Sequence, residues 1–151
     1  MKPSWIELRE ITSETWLECI NLKLKPDQDS FVSSNLFSLA QSKFEPSRVP
    51  CAIYSNQNEM VGFMMYNDKP LEVDGTYRIS RLMIDKAHQG KGYGLAAAVE
   101  AINRLRQVSD CQEILLDYTP DNEVAAKFWE NLGFIVFGKR NHNLVAKLKL
   151  E

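Results

Sequence analysis

Histidine is nearly absent from this chain of 151 residues, and the two present, His88 and His142, stand far apart. They are too few and too isolated to form a metal site. Cysteine is scarce as well. Cys19, Cys51 and Cys111 are odd in number, widely spaced and free of any Cys-x-x-Cys pair. They read as reduced thiols of a cytoplasmic protein, placed in or beside the core. Cys51 as a nucleophile is the sharper alternative, yet Cys51-Ala52-Ile53-Tyr54 looks like an ordinary strand. Long apolar runs are missing too. No segment has the length to span a bilayer, and Met1-Lys2-Pro3-Ser4-Trp5-Ile6-Glu7 lacks the apolar centre of a secretion signal. No sign of charge dominates: the formal net charge is -2, which gives a nucleic-acid partner no support. The slight acidity is compatible with a cationic substrate and decides nothing more.

What is present begins with an ordinary globular composition, 44% hydrophobic and 25% charged. The size suits one domain over residues 1–151, and no linker, repeat or low-complexity tract divides it. The most informative run is Gln89-Gly90-Lys91-Gly92-Tyr93-Gly94-Leu95. It follows the strand-like stretch Tyr77–Ile84 and opens into a helical pattern. Glycines at alternate positions let the backbone approach a bulky ligand. A helix starting there adds unpaired amides and the positive end of its dipole. Together they form a socket for a phosphate or pyrophosphate.

Two common phosphate motifs do not fit. A P-loop needs Gly-Lys-Ser/Thr after its spacer, whereas Gly90-Lys91 is followed by Gly92. The dinucleotide fingerprint is Gly-x-Gly-x-x-Gly near the start of its domain; this loop is Gly-x-Gly-x-Gly and comes late. A glycine-rich turn that merely precedes a surface helix is the plain alternative.

Along the chain, the pattern predicts a strand over Ile6–Glu10 and a helix capped by Thr12 or Ser13, with Trp16, Leu17, Ile20 and Leu24 inward and Pro26 as its end. Phe31, Val32, Leu36, Leu39 and Ala40 mark a second helix that stops before Pro46. Strands follow at Cys51–Tyr54, Met60–Tyr66 and Tyr77–Ile84. Leu95, Val99, Ile102 and Leu105 give the buried stripe of a third helix. Ile114–Tyr118 is a strand expected parallel to Tyr77–Ile84, because a helix crosses between them. A helix over Asn122–Leu132 stops at Gly133, and Phe134–Phe137 with Leu144–Leu150 closes the chain as a hairpin.

Gln89, Gly92 and Gly94 match the Arg/Gln-x-x-Gly-x-Gly/Ala loop of the GNAT N-acetyltransferase family, and the stretch Arg81–Gly94 resembles that family's strand, loop and helix. A second run, Asn122-Glu123-Val124-Ala125-Ala126-Lys127-Phe128-Trp129-Glu130-Asn131-Leu132-Gly133-Phe134, resembles its Asn-x-x-Ala-x-x-Phe-Tyr-x-x-x-Gly-Phe helix. The order of elements also resembles the family over essentially the whole chain. The fold this implies is α/β, a mixed and mostly antiparallel sheet of about seven strands flanked by about four helices.

The resemblance implies acetyl-CoA as cosubstrate and no metal. Met83 and Ile84 would pair through their backbone with the pantetheine arm. The amides of Gly90, Lys91, Gly92, Tyr93, Gly94 and Leu95 would hold the pyrophosphate, with Gln89 beside it. Lys91 either adds charge toward the phosphates or is simply solvated. Asn122 and Trp129 match further cofactor-contacting positions. A neutral amine would attack the thioester directly, after losing a proton to a base. Many relatives carry a Glu on the strand before the loop; this chain has Arg78, Ser80 and Arg81 there. Glu72, or Asp74, is the substitute candidate for the base. Many relatives place a Tyr where Trp129 stands, and indole has no useful acidity. Tyr118 is the substitute candidate for the acid.

Gln28, Phe31, Val32, Asn35, Ser38 and Leu39, with the strands after them, resemble the bacterial spermine/spermidine acetyltransferase subgroup. That implies a small polyamine acceptor, which Asp27, Asp29, Glu72 and Asp74 could help to bind. Other acceptors stay open: another small amine, an aminoglycoside-like compound, or a protein amine. A regulatory acyl-CoA-binding module without turnover is the reading from another class. Neither a nucleic acid nor a membrane is expected as partner, whereas a homodimer is a family habit.

Overall fold

The computed structural model describes residues 5–70 and 73–150. One seven-stranded sheet runs in the order β1-β2-β3-β4-β5-β7-β6. β1 (Ile6–Glu10), β2 (Arg48–Ser55), β3 (Met60–Asn67) and β4 (Thr76–Ile84) form an antiparallel meander. β5 (Glu113–Tyr118) joins β4 in parallel, and β7 (Asn143–Lys149) lies antiparallel between β5 and β6 (Ile135–Arg140). The helices are α1 (Trp16–Ile20), α2 (Asn35–Phe44), α3 (Tyr93–Arg106) and α4 (Glu123–Asn131). The α/β class, the mixed sheet and the parallel β4–β5 pair are as the sequence predicts.

The sheet has an apolar cluster on each face. On one, Ile53, Met64, Tyr77, Ile79 and Leu116 pack with Ala97, Ala98, Ala101 and Leu105 of α3. A run of alanines there lets the helix lie close on the sheet. On the other face, Phe63, Met65 and Met83 pack with Cys19 of α1 and Leu39 of α2. All eight residues of β3 are buried, so this strand is the centre of the core.

β4 changes face midway. Ile79 pairs with Tyr66 and Arg81 with Met65, which leaves Ser80 as an extra residue in the ladder. Such a bulge re-aims the side chains on either side of it. Before it, Tyr77 and Ile79 lie in the α3 cluster; after it, Leu82 and Ile84 do, and Met83 joins the opposite one.

The N-terminal helices differ from expectation. α1 is only five residues long, and its buried residue is Cys19, whereas Trp16 is 40% and Leu17 56% exposed. Thr15 stands at its start without a side-chain cap. Pro26 opens a 3-10 turn over Pro26–Phe31, its fixed φ suiting a first helical position. Phe31 and Val32 therefore precede α2, which starts at Asn35 under a Ser34 cap whose Oγ accepts from Phe37 N at 3.0 Å. The buried residues of α2 are polar. Asn35 Nδ2 donates to Cys19 O at 2.9 Å, and Ser38 Oγ accepts from Arg81 Nε at 3.1 Å. Hydrogen bonding explains their burial, since each polar group that leaves water finds a partner.

Burial also accounts for the thiols. Cys19 is pushed up to about 12 by burial and by nearby Glu18, and Cys111 to about 11 by burial and Asp110. Burial raises Cys51 as well. Thiols so disfavoured as thiolates are poor nucleophiles. Among the described residues no helix is long and apolar enough to cross a membrane.

Candidate active site

β4 and β5 pair over three positions only, Thr76 with Glu113, Tyr77 with Ile114 and Arg78 with Leu115. Beyond these, β4 continues against β3 as far as Ile84, and β5 against β7 as far as Tyr118. The facing edges of the two strands thus stop pairing with each other. A cavity of about 510 Å3 opens beside the end of β4, lined by Leu82, Met83 and Ile84 of that strand. α4 supplies Val124, Ala125, Phe128 and Trp129, and the segment after α1 supplies Leu24, Phe31 and Val32. The walls are mainly apolar and suit an extended acyl or thioether arm.

The glycine loop closes one end. Gly90 and Gly92 have φ of 79° and 88°, the left-handed region in which a Cβ is strained. Gly92 caps α3, and no side chain accepts from the first amides of that 14-residue helix. Those amides and the helix dipole meet at the cavity, a suitable receptor for a diphosphate. A Cβ on Gly94 would lie 3.6 Å from Ile84 Cγ1 and 3.9 Å from Phe128 Cε1, so a side chain here would project between β4 and α4. Bare backbone keeps that space for a ligand. These residues fit acetyl-CoA.

Of the residues expected to meet the cofactor, the cavity brings together Met83, Ile84, Gln89, Gly90, Gly92, Tyr93, Gly94, Leu95, Asn122 and Trp129. Lys91 sits exposed on the loop. Gln89 is engaged within the protein: its Nε2 donates to Ile84 O at 2.9 Å and to Gln28 Oε1 at 2.9 Å. Asn122 caps α4 by accepting from Ala125 N at 3.1 Å. Trp129 is 8% exposed and meets the rings of Phe128 and Phe134 edge-on, at 4.8 and 5.3 Å.

Of the two candidates for proton transfer, one lies elsewhere. Tyr118 is buried, is not part of the cavity wall, and has its phenol pushed up by burial and by Glu130. Glu72 lies outside the described residues. Asp74 is exposed, and Asp27 is the acid that lines the cavity. His88, unsuited to a metal site by its isolation, lines the cavity too and meets Tyr93 edge-on at 6.5 Å. Its place next to the loop was the available signal.

The model of the Acetyltransferase (GNAT) family matches residues 5–134. The chain belongs to that family. A protein from Bacillus subtilis subsp. natto named probable spermine N(1)-acetyltransferase is 27% identical over 143 residues, covering 91% of this chain and 93% of that one. The fold is similar to spermidine N-acetyltransferase from Vibrio cholerae, solved with CoA and spermine, with a TM-score of 0.72 at 16% identity over 94% of this chain and 92% of that one. It is similar as well to ribosomal-protein-S5-alanine acetyltransferase from Vibrio fischeri, with a TM-score of 0.74 at 16% identity over 99% and 95%.

Proposed function

We propose that the chain moves the acetyl group of acetyl-CoA to a primary amine of a small molecule by direct attack. The observation that carries this reading is the cavity beside the end of β4, where that strand no longer pairs with β5, closed at one end by the start of α3. The diphosphate rests on the amides from Gly90 to Leu95, with Gln89 fixing the loop from behind. The pantetheine arm runs along Met83 and Ile84. A backbone N–H of that strand polarises the thioester carbonyl, as in an oxyanion hole. Nucleophilic attack forms the C–N bond as the C–S bond breaks, and the proton shed by nitrogen ends on the sulfur. Trp129 packs the far wall.

Two acceptor classes have support. A polyamine agrees with the names of the Bacillus and Vibrio cholerae relatives and with Asp27 in the cavity wall. An amine that also carries an anionic group agrees with the arginines around the first half of β4. Calorimetry with CoA and thiol release from acetyl-CoA with spermidine test the reading. Heat on adding CoA and turnover with an amine support it; binding of CoA without turnover of any amine favours the regulatory module.

A further inference from the structure

A second cavity, of about 540 Å3, lies on the α2 side of the sheet, and its lining neighbours that of the first along β4: Ser80 and Arg81 line one, Leu82 and Met83 the other. Four arginines, Arg48, Arg78, Arg81 and Arg140, line it together with two carboxylates, Glu45 and Asp117. Among the described lining residues this is a formal excess of two positive charges.

We propose that this second cavity is the acceptor's subsite and that the acceptor is a small primary amine bearing a carboxylate, which the arginines hold while the amine points to the end of β4. The proposal rests on the acetyl-transfer reading above and names the substrate class for it.

Placement of the charges supports it. The side chains of Arg48 and Arg78 are only 14% and 12% exposed, whereas their partners Glu45 and Asp117 are 51% and 30% exposed. Arg48 and Arg78 therefore line the interior, while the carboxylates and the exposed Arg140 stand at the rim. Arg81 donates to neutral acceptors: Ser38 Oγ at 3.1 Å, Ser80 O at 2.8 Å and Gln41 Oε1 at 3.0 Å. Burial and the charge of Arg48 both disfavour its protonated form, so an incoming anion would relieve it. The Ser80 bulge brings Ser80 and Arg81 to the same cavity, which a regular strand would not do. Planar guanidiniums also match carboxylate geometry.

The same charges assist the chemistry. A cation near an amine lowers the amine's pKa and so favours its neutral, nucleophilic form. The excess of arginine thereby lessens the need for a strong base. An all-cationic polyamine would instead meet repulsion in this subsite.

Thiol release from acetyl-CoA, measured with the twenty amino acids, their C-terminal amides, spermidine and spermine, tests the proposal. The amino acids that turn over should lose about tenfold or more in kcat/KM when the carboxylate is amidated. Arg78→Gln and, separately, Arg140→Gln should raise KM for those amino acids about tenfold and leave KM for acetyl-CoA unchanged. Turnover confined to spermidine and spermine, amides that match their acids, or no turnover while calorimetry shows CoA binding would each overturn the subsite and leave the cofactor site standing. Failure to bind CoA would remove the transferase reading beneath it.

Discussion

Gln28 and Gln89, 61 residues apart, face each other amide to amide. Gln89 Nε2 donates to Gln28 Oε1 at 2.9 Å, and Gln28 Nε2 donates back to Gln89 Oε1 at 3.2 Å. The pair ties the 3-10 turn after α1 to the glycine loop, and Gln89 also reaches the carbonyl of Ile84 at the end of β4. One contact thus ties together three walls of the cavity. Gln28→Ala removes the outer half and should weaken CoA binding about fivefold, the effect of one hydrogen bond worth about 1 kcal/mol. Titration calorimetry checks it, and an unchanged Kd would show that the loop holds its shape unaided.

Gly92 is the point where the loop tolerates least. Its φ of 88° and its place as the cap of α3 both argue for a residue without Cβ. Gly92→Asp adds bulk and a negative charge beside the proposed diphosphate site. CoA binding should fall below detection while circular dichroism still shows a folded protein. Retained affinity would contradict the site.

Trp129 separates packing from chemistry. It is held edge-on between Phe128 and Phe134 in the core. Trp129→Phe keeps an aromatic wall and should preserve appreciable activity, whereas Trp129→Ala should cost about 3–5 kcal/mol of stability in a denaturant melt. Near-total loss of turnover in the phenylalanine variant, with binding intact, would assign the indole N–H a direct part.

Tyr77 gives the fold a pH dependence of its own. Its ring is 2% exposed and its hydroxyl donates to Asp110 Oδ1 at 2.6 Å. Burial, then the bond to Asp110 and that residue's charge, push the phenol up to about 12. An unfolded tyrosine titrates near 10. The contribution to stability is therefore present in full below pH about 10 and lost as pH rises through the folded value. Midpoints of urea unfolding should fall more steeply over this range for the native protein than for Tyr77→Phe. Parallel curves would show that the phenol does not matter.

The local parts of the fold were legible because their signals are local. The glycines of the loop, the apolar alternation of the strands and the crossing helix before β5 each follow from neighbours in sequence, and the structure places them as read. α2 was read on its apolar residues, of which Leu39 does pack on the sheet, but its buried residues are Asn35 and Ser38, whose burial depends on partners in α1 and β4. The bulge at Ser80 left no mark that alternation could show. Arg48, Arg78, Arg81 and Arg140 come from three separate strands, so their meeting is a product of topology. Gln89 carried a family expectation beside the phosphates, while its bond to Gln28 required the folded chain.

Burial grades across the sheet, from β3 with every residue buried to β6 with every residue exposed. β6 hangs on β7 alone, at the outer margin. Amide protons there should exchange with solvent soonest, and opening of the native state should start from that border, well before the β3–β4 ladder loosens.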